Sequence, residues 1–78
     1  MPRYFFDLLH GERMMPDTDG LDLHTPAAAE REAFAALADV AKDALPKGSS
    51  GATVMRVRDE AGEILLMISL TVAVERPT

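Results

Sequence analysis

A strict alternation of apolar and other residues marks the C-terminal part of the chain. Every even-numbered residue from Ile64 to Val74 is isoleucine, leucine or valine. A period of two places these side chains on one face of a strand, so the pattern predicts a strand that begins at Ile64 and leaves open whether it extends to Val74. The opposite face carries Leu65 and Met67, which makes it more apolar than a fully solvated face needs to be.

Two other runs alternate in the same way. Residues 53–58 do so just before the strand that begins at Ile64, and the intervening Asp-Glu-Ala-Gly at 59–62 predicts a β-hairpin loop. Residues 3–9 predict a strand at the other end of the chain. Its two faces carry, respectively, Tyr4, Phe6 and Leu8, and Phe5, Asp7 and Leu9.

The segment between the first strand and the helix is rich in turn residues. His10–Glu12 has turn character, and Arg13–Met15 is a plausible short return strand, which Pro16 limits because proline cannot donate to a ladder. Asp17–Gly20 is a strong turn signal, since short aspartate side chains accept hydrogen bonds from nearby backbone N–H groups. Residues 21–23 then predict a brief extended segment leading into the helix.

The helix is the most clearly marked element. Thr25 is a favourable N-cap and Pro26 a favoured first helical residue. Ala27–Leu45 contains no glycine or proline, and a glycine- and serine-rich loop over 46–51 ends it. On a period of 3.6 residues, the stripe expected to face a sheet consists of Ala33, Phe34, Leu37, Val40, Ala41, Ala44 and Leu45.

The order of these elements is strand, short strand, helix, strand, strand. A single amphipathic helix covers only one face of a sheet, and hairpins favour antiparallel pairing. We therefore expect a two-layer α+β fold with a mostly antiparallel sheet of three or four strands and one helix on one face. The 78 residues form a single domain, 1–78, because a second domain would lack its own core. We expect residues 75–78 to be frayed.

Composition excludes several classes of function. The chain has no cysteine, which removes disulfides, thiolate catalysis and zinc ribbons. Thirteen acidic against eight basic residues give a net charge of −5, which opposes binding to nucleic acids and anionic membranes. The apolar stretches are too short for a membrane span or a signal peptide, and we expect a cytoplasmic location.

Four stretches have a familiar combination of residues: the opening Met1–Leu8, Pro16-Asp17 followed by Gly20, the alanine-rich Ala27–Leu45, and Val57–Leu65. Together they resemble a family of very short bacterial proteins, a domain of unknown function that opens with Met-Pro-Arg-Tyr-Phe-Phe. The resemblance covers nearly the whole chain and supports the fold. It implies no activity and no catalytic or binding residues.

Residues capable of chemistry are few, and none of them forms a catalytic pattern. The acidic segment from Asp17 to His24 has the wrong glycine spacing for a calcium loop, so we interpret it as a turn. His10 and His24 are the only histidines, and each lies beside a turn, where exposure is expected. The Ser49-Ser50 loop follows a helix, unlike a phosphate-binding loop. We therefore expect no metal, no cofactor and no enzymatic activity.

The uncovered face of the sheet is the most suggestive feature. Contiguous apolar patches on small proteins mark interaction surfaces, and a two-fold symmetric homodimer is the commonest way to bury one. The predicted interface residues are Phe5, Leu9, Val54, Arg56, Arg58, Leu65 and Met67. We expect a homodimer, with an unidentified protein partner as another possibility. In the alternative arrangement, Met14 and Met15 or helix-side loops cover this face internally.

A second hypothesis uses the basic residues of the same face. Arg3, Arg56 and Arg58 resemble in outline a sheet that binds nucleic acid, as in an antitoxin-like regulator. In the plainer interpretation, these arginines pair with Asp7, Glu63 or Glu75 on a solvated face. The acidic net charge favours the plainer interpretation.

Overall fold

The described residues form five strands and one α-helix, in the order that the sequence pattern predicts with one strand added. The computed structural model describes residues 1–48 and 51–77, so the predicted Ser49-Ser50 loop lies outside the described residues. The elements are β1 (Arg3–His10), β2 (Arg13–Met15), β3 (Leu21–Asp22), α1 (Pro26–Ala44), a 3₁₀ turn (Leu45–Lys47), β4 (Gly51–Arg58) and β5 (Ile64–Val72).

All strand pairings in the sheet are antiparallel, in the order β2-β1-β4-β5. The extra strand, β3, pairs with the N-terminal end of β1, on the same edge as β2. The predicted α+β fold is therefore confirmed, with a fifth strand of two residues where a brief extended segment is expected. The predicted hairpin is formed by β4 and β5, which pair along their length.

The start of α1 follows its sequence signals. Thr25 is the N-cap, and its Oγ1 accepts a hydrogen bond of 3.1 Å from the N–H of Ala28, while Pro26 is the first helical residue. The helix ends at Ala44, one residue before the predicted end, where the chain tightens into a 3₁₀ turn. No helix in residues 1–48 and 51–77 is long and apolar enough to cross a membrane.

The core lies between α1 and one face of the sheet, where α1 packs against β4 and β5. Two of the residues buried from the helix are alanines, so the helix backbone lies close to the strands. The buried apolar residues are Tyr4, Ala29, Ala33, Leu37, Met55 and Val57. The predicted helix-facing side of β1 is confirmed, since Tyr4 belongs to this core and Phe6 and Leu8 pack against it.

The predicted burial of two helix residues at the margin of the core is wrong. Phe34 and Leu45 belong to the predicted buried stripe, but their exposed fractions are 55% and 52%. Phe34 projects beside β5, the last strand of the sheet, so no further strand lies beneath it. The last strand ends at Val72 instead of Val74, because Val72 already pairs with Gly51, the first residue of β4.

Candidate functional site: the open face of the sheet

The face of the sheet opposite α1 carries six of the seven predicted interface residues. The seventh, Leu65, lies at a β-bulge opposite Val57 and lines grooves on the helix side together with Pro26. The strand register pairs Leu9 with Val54 and Arg56 with Met67, and paired residues in an antiparallel sheet point to the same side. No helix of the described chain packs on this side. We call it the open face, and the predicted interface residues that lie on it are Phe5, Leu9, Val54, Arg56, Arg58 and Met67.

A buried carboxylate lies at the centre of the β1–β4 half of the open face. The side chain of Asp7 is 0% exposed. Its Oδ2 accepts hydrogen bonds from Nε and Nη2 of Arg56 at 3.1 and 2.9 Å and from Nε of Arg58 at 2.8 Å. Its Oδ1 accepts the N–H of Asp17 at 2.9 Å. Ordinary surface charge, the sequence-based interpretation of Asp7, is therefore wrong, because two guanidinium groups cover it.

These contacts hold Asp7 in its ionised form. Burial alone raises the pKa of a carboxyl group, but the hydrogen bonds from Arg58, the Asp17 N–H and Arg56 outweigh burial and keep the pKa of Asp7 below its usual range. The hydrogen bond to Asp7 likewise raises the pKa of Arg58. A carboxylate with a lowered pKa that is surrounded by donors is a poor general base. The cluster is therefore suited to holding strands together, not to proton transfer.

Asp17 joins this cluster to the outer edge of β1. Its Oδ2 accepts the N–H of Phe6 at 3.1 Å, and its Oδ1 accepts the N–H groups of Asp19 and Gly20, each at 3.1 Å. Its carbonyl oxygen accepts a hydrogen bond of 2.9 Å from Nη2 of Arg58. Burial raises the pKa of Asp17, but the hydrogen bonds from the three backbone N–H groups lower this pKa by more than burial raises it. The net shift is therefore downward. The predicted turn is confirmed.

The turn at Gly20 packs tightly against the open face. The guanidinium carbon of Arg58 lies 4.6 Å from the centroid of the Phe5 ring, a cation–π contact. A Cβ atom at Gly20 would lie 2.9 Å from Cε1 of Phe5 and 2.8 Å from Cγ of Arg3. Gly20 also has a φ of +74°, a conformation that other L-residues rarely adopt. The segment 17–20 therefore covers the Phe5 end of the face.

We expect Gly20→Ala to lower the free energy of unfolding by about 2–3 kcal/mol, because left-handed strain and a steric clash add together. Gly11→Ala is the matched control, since Gly11 has a φ of +62° but no atom within 4 Å of its would-be Cβ. The control should lower the free energy of unfolding by only about 1 kcal/mol, because it introduces backbone strain without a steric clash. Urea denaturation of both variants measures the difference. Equal losses would contradict the packing described for Gly20.

The β5 half of the open face has a different character. Ile64 and Met67 are 49% and 58% exposed. By contrast, Phe5, Leu9 and Val54 are half-buried. Met14 and Met15 stay exposed on β2, at the far side of the sheet, and do not cover β5. The open face thus divides into an ionic half around Asp7 and an uncovered apolar half on β5.

The arginines of the nucleic-acid hypothesis are all engaged with carboxylates. Nε of Arg3 lies 2.9 Å from Oδ1 of Asp22, and its Nη1 donates to the carbonyl oxygen of Asp19 at 3.1 Å. Arg56 and Arg58 both bind Asp7. The predicted pairing with Asp7 is therefore confirmed for these two residues. Phosphate groups would have to compete with these ion pairs, so the geometry does not favour the hypothesis.

The remaining titratable side chains form no metal cluster in the described part of the chain. His10 is half-buried, and its Nδ1 lies 2.6 Å from Oγ1 of Thr53, so the expected exposure of this histidine is wrong. An open groove of about 390 Å³ runs between β1, β2 and the C-terminal half of α1. Its lining includes His10 and Arg13 beside Asp39 and Asp43.

Comparison with known proteins identifies the chain at the level of the family. A family model described as "Domain of unknown function (DUF6894)" matches residues 3–71. The chain belongs to the DUF6894 family. The match to DUF6894 begins at the first residue of β1 and ends one residue before the end of β5, so it spans the complete fold. No curated protein and no solved structure matches the chain.

Membership of DUF6894 confirms the predicted resemblance to a domain of unknown function. Sequence reasoning missed the burial of Asp7 and the role of Asp17 in this DUF6894 chain. One signal was present, because Asp7 is the sole acidic residue of a largely apolar strand and two arginines, Arg56 and Arg58, alternate on another strand. Relating the aspartate to the two arginines requires the knowledge that β1 pairs with β4, and the hydrophobic pattern of the sequence does not give this strand order.

Proposed function

We propose that this protein is a small, non-enzymatic interaction module that self-associates through its sheet, with a second copy of the chain as its partner. The observation that carries the proposal is the uncovered apolar half of the open face. Ile64 and Met67 are 49% and 58% exposed on the open face of β5, and Leu65, which turns toward the helix side at the bulge, is 41% exposed. A patch of this kind on a small protein marks an interaction surface.

The small size of the core supports the same proposal. Only six apolar residues are buried in the described chain, and two of them are alanines. Chains of this length bury a smaller share of their surface than larger domains, and binding of a partner to the folded state adds stability by mass action. A homodimer therefore supplies apolar burial that a single chain lacks. In this proposal Arg56 and Arg58, held by Asp7, form the rim of the interface.

The proposal predicts that Leu65→Asp gives a folded monomer. Size-exclusion chromatography with light scattering should give the wild type a mass near twice 8.5 kDa, and the variant a mass near 8.5 kDa at the same concentration. A buried carboxylate without a partner opposes association. Circular dichroism checks that the variant is folded.

Leu21→Asp is the matched control. Leu21 is 42% exposed, almost the same as Leu65, but it lies in β3 at the opposite side of the sheet. This variant should keep the mass of the wild type. A wild type that is monomeric at every concentration would overturn the proposal, and a dimeric Leu65→Asp would move the interface away from β5.

A further inference from the structure

The two edges of the sheet differ in how they are covered. Along the outer edge of β1, β2 pairs with residues 8–10 and β3 pairs with residues 3–4. Asp17 fills the space between them, and its carboxylate accepts the N–H of Phe6. Natural proteins protect sheet edges in this way, because unpaired backbone groups are a template for another strand. The edge on this side therefore consists of β2 and β3, which have three and two residues and are too short to pair with a long strand of a partner.

The β5 edge has no such protection in the described chain. Ile64–Val72 is nine residues long and pairs only with β4. It contains no charged residue and no proline, the two side-chain devices that most often block edge pairing. The one irregularity of its pairing lies at its start, opposite Val57 and Arg58, so the remainder of the strand is regular.

Apolar surface flanks this edge on both sides of the sheet. On the open face lie Ile64 and Met67. On the helix side, an open groove of about 260 Å³ runs along β5, and its lining includes Phe34 and Ala38 from α1 and Ile68 from β5. Every lining residue of this groove is uncharged. The 55% exposed Phe34 therefore lies at the margin of the edge, not within the core.

We propose that β5 of one protomer pairs antiparallel with β5 of a second copy, so that the two sheets join into one continuous sheet. This inference rests on the proposed self-association and specifies its geometry. The two-fold axis of such a pair is perpendicular to the sheet, so both α1 helices lie on the same side and the two Phe34 side chains approach across the seam.

A second copy of the chain suits this edge better than a charged partner does. The protein has a net charge of −5, so two copies repel wherever acidic surfaces meet, whereas β5 brings no charges together. The strand is about 30 Å long, and the side chains on each face of the sheet form a layer about 10 Å thick. Edge pairing along the whole strand would therefore bury roughly 600 Å² per protomer. This is close to the roughly 800 Å² per partner of a standard stable interface.

Phe34 distinguishes edge pairing from face-to-face stacking of the open faces. In a stacked dimer, Phe34 lies on the outer side of each sheet, away from the interface. In the edge-paired dimer it lies at the seam, so Phe34→Glu should raise the dissociation constant of the dimer at least about tenfold. Ala35→Glu is the control, because Ala35 follows Phe34 on α1 and is exposed but does not line the groove.

Amide hydrogen exchange of the wild type supplies a second, independent readout. Every second N–H of β5 points away from β4, and only edge pairing gives these groups acceptors. In the edge-paired dimer they should exchange about as slowly as the N–H groups of β4. Nuclear magnetic resonance of the full chain, at a concentration where light scattering shows the dimer, measures both sets together.

The outcomes separate the two proposals. A dimer with protected outward N–H groups on β5 and a weakened Phe34→Glu variant supports edge pairing. A dimer whose outward N–H groups exchange rapidly overturns edge pairing but leaves self-association in place, whatever Phe34→Glu does. A monomeric wild type overturns both. If Phe34→Glu does not fold, the exchange measurement on the wild type decides.

Discussion

Asp7→Asn is expected to lower the free energy of unfolding by about 3 kcal/mol. Removing one partner of a buried ion pair costs about 3–5 kcal/mol, since the remaining charge is left uncompensated. The low end applies because Arg56 and Arg58 keep 30% and 26% of their side chains exposed and retain access to water. Asparagine preserves the shape of the side chain but loses the charge and turns two N–H donors toward other donors.

The size of this effect is large for so short a chain. Domains of this length have a total stability of about 4–12 kcal/mol, at roughly 0.05–0.15 kcal/mol per residue. Urea denaturation at pH 7 and fixed protein concentration measures the loss. Asp43→Asn is the control, because Asp43 forms an exposed ion pair with Lys47, in which both side chains are more than two-thirds exposed. Exposed pairs contribute little, so the control should unfold like the wild type. Similar losses in both variants would contradict the burial of Asp7.

Acid is expected to lower the free energy of unfolding more steeply than it would in a protein whose carboxylates are all exposed. The pKa values of Asp7 and Asp17 are both lower in the folded chain than the usual value for aspartate, which is about 3.9. Their ionised forms therefore stabilise the fold at any pH above that value. This stabilisation is lost as the pH falls through the folded-state pKa values, because protonation removes the hydrogen-bond acceptors.

Urea midpoints at pH 7, 5, 4 and 3 test this dependence. The urea midpoint should change little between pH 7 and 5, and it should decrease once the pH is lower than about 4. In Asp7→Asn the fall should be shallower, because one of the two strongly bound carboxylates no longer titrates. An Asp7→Asn variant with the same acid-dependent loss as the wild type would show that Asp7 does not carry the effect.

Local signals in the sequence account for the elements and their faces. Thr25 and Pro26 set the start of α1 because capping depends only on neighbouring residues. The alternation within β1 and β4, and within β5 from Leu66 onward, correctly assigns side chains to the helix side and the open side of the sheet. The bulge at the start of β5 reverses this assignment for Ile64 and Leu65. Both signals act over a few residues, so no knowledge of the tertiary structure is needed to interpret them.

The features that sequence reasoning missed depend on strand order. Phe34 has the periodicity of a buried residue, and its exposure arises only because β5 is the edge strand. Asp7 is of a residue type that usually lies at the surface, and its burial arises because β4 brings Arg56 and Arg58 beside it. The β2 and β3 strands on the other side of β1 leave the space that Asp17 fills.

The pairing of β1 with β4 has a consequence for the order in which the chain can fold. The hydrogen bonds from Arg56 and Arg58 to Asp7 join residues 49 and 51 positions apart, whereas β4 and β5 form a local hairpin. Closing a long loop costs entropy before its contacts form, so non-local pairings are slow steps. During synthesis from the N-terminus, β1, β2 and α1 emerge before the strand that completes their core. The pairing of β1 with β4 at the centre of the sheet therefore forms only after the last third of the chain has been synthesised, and the fold cannot be completed before then.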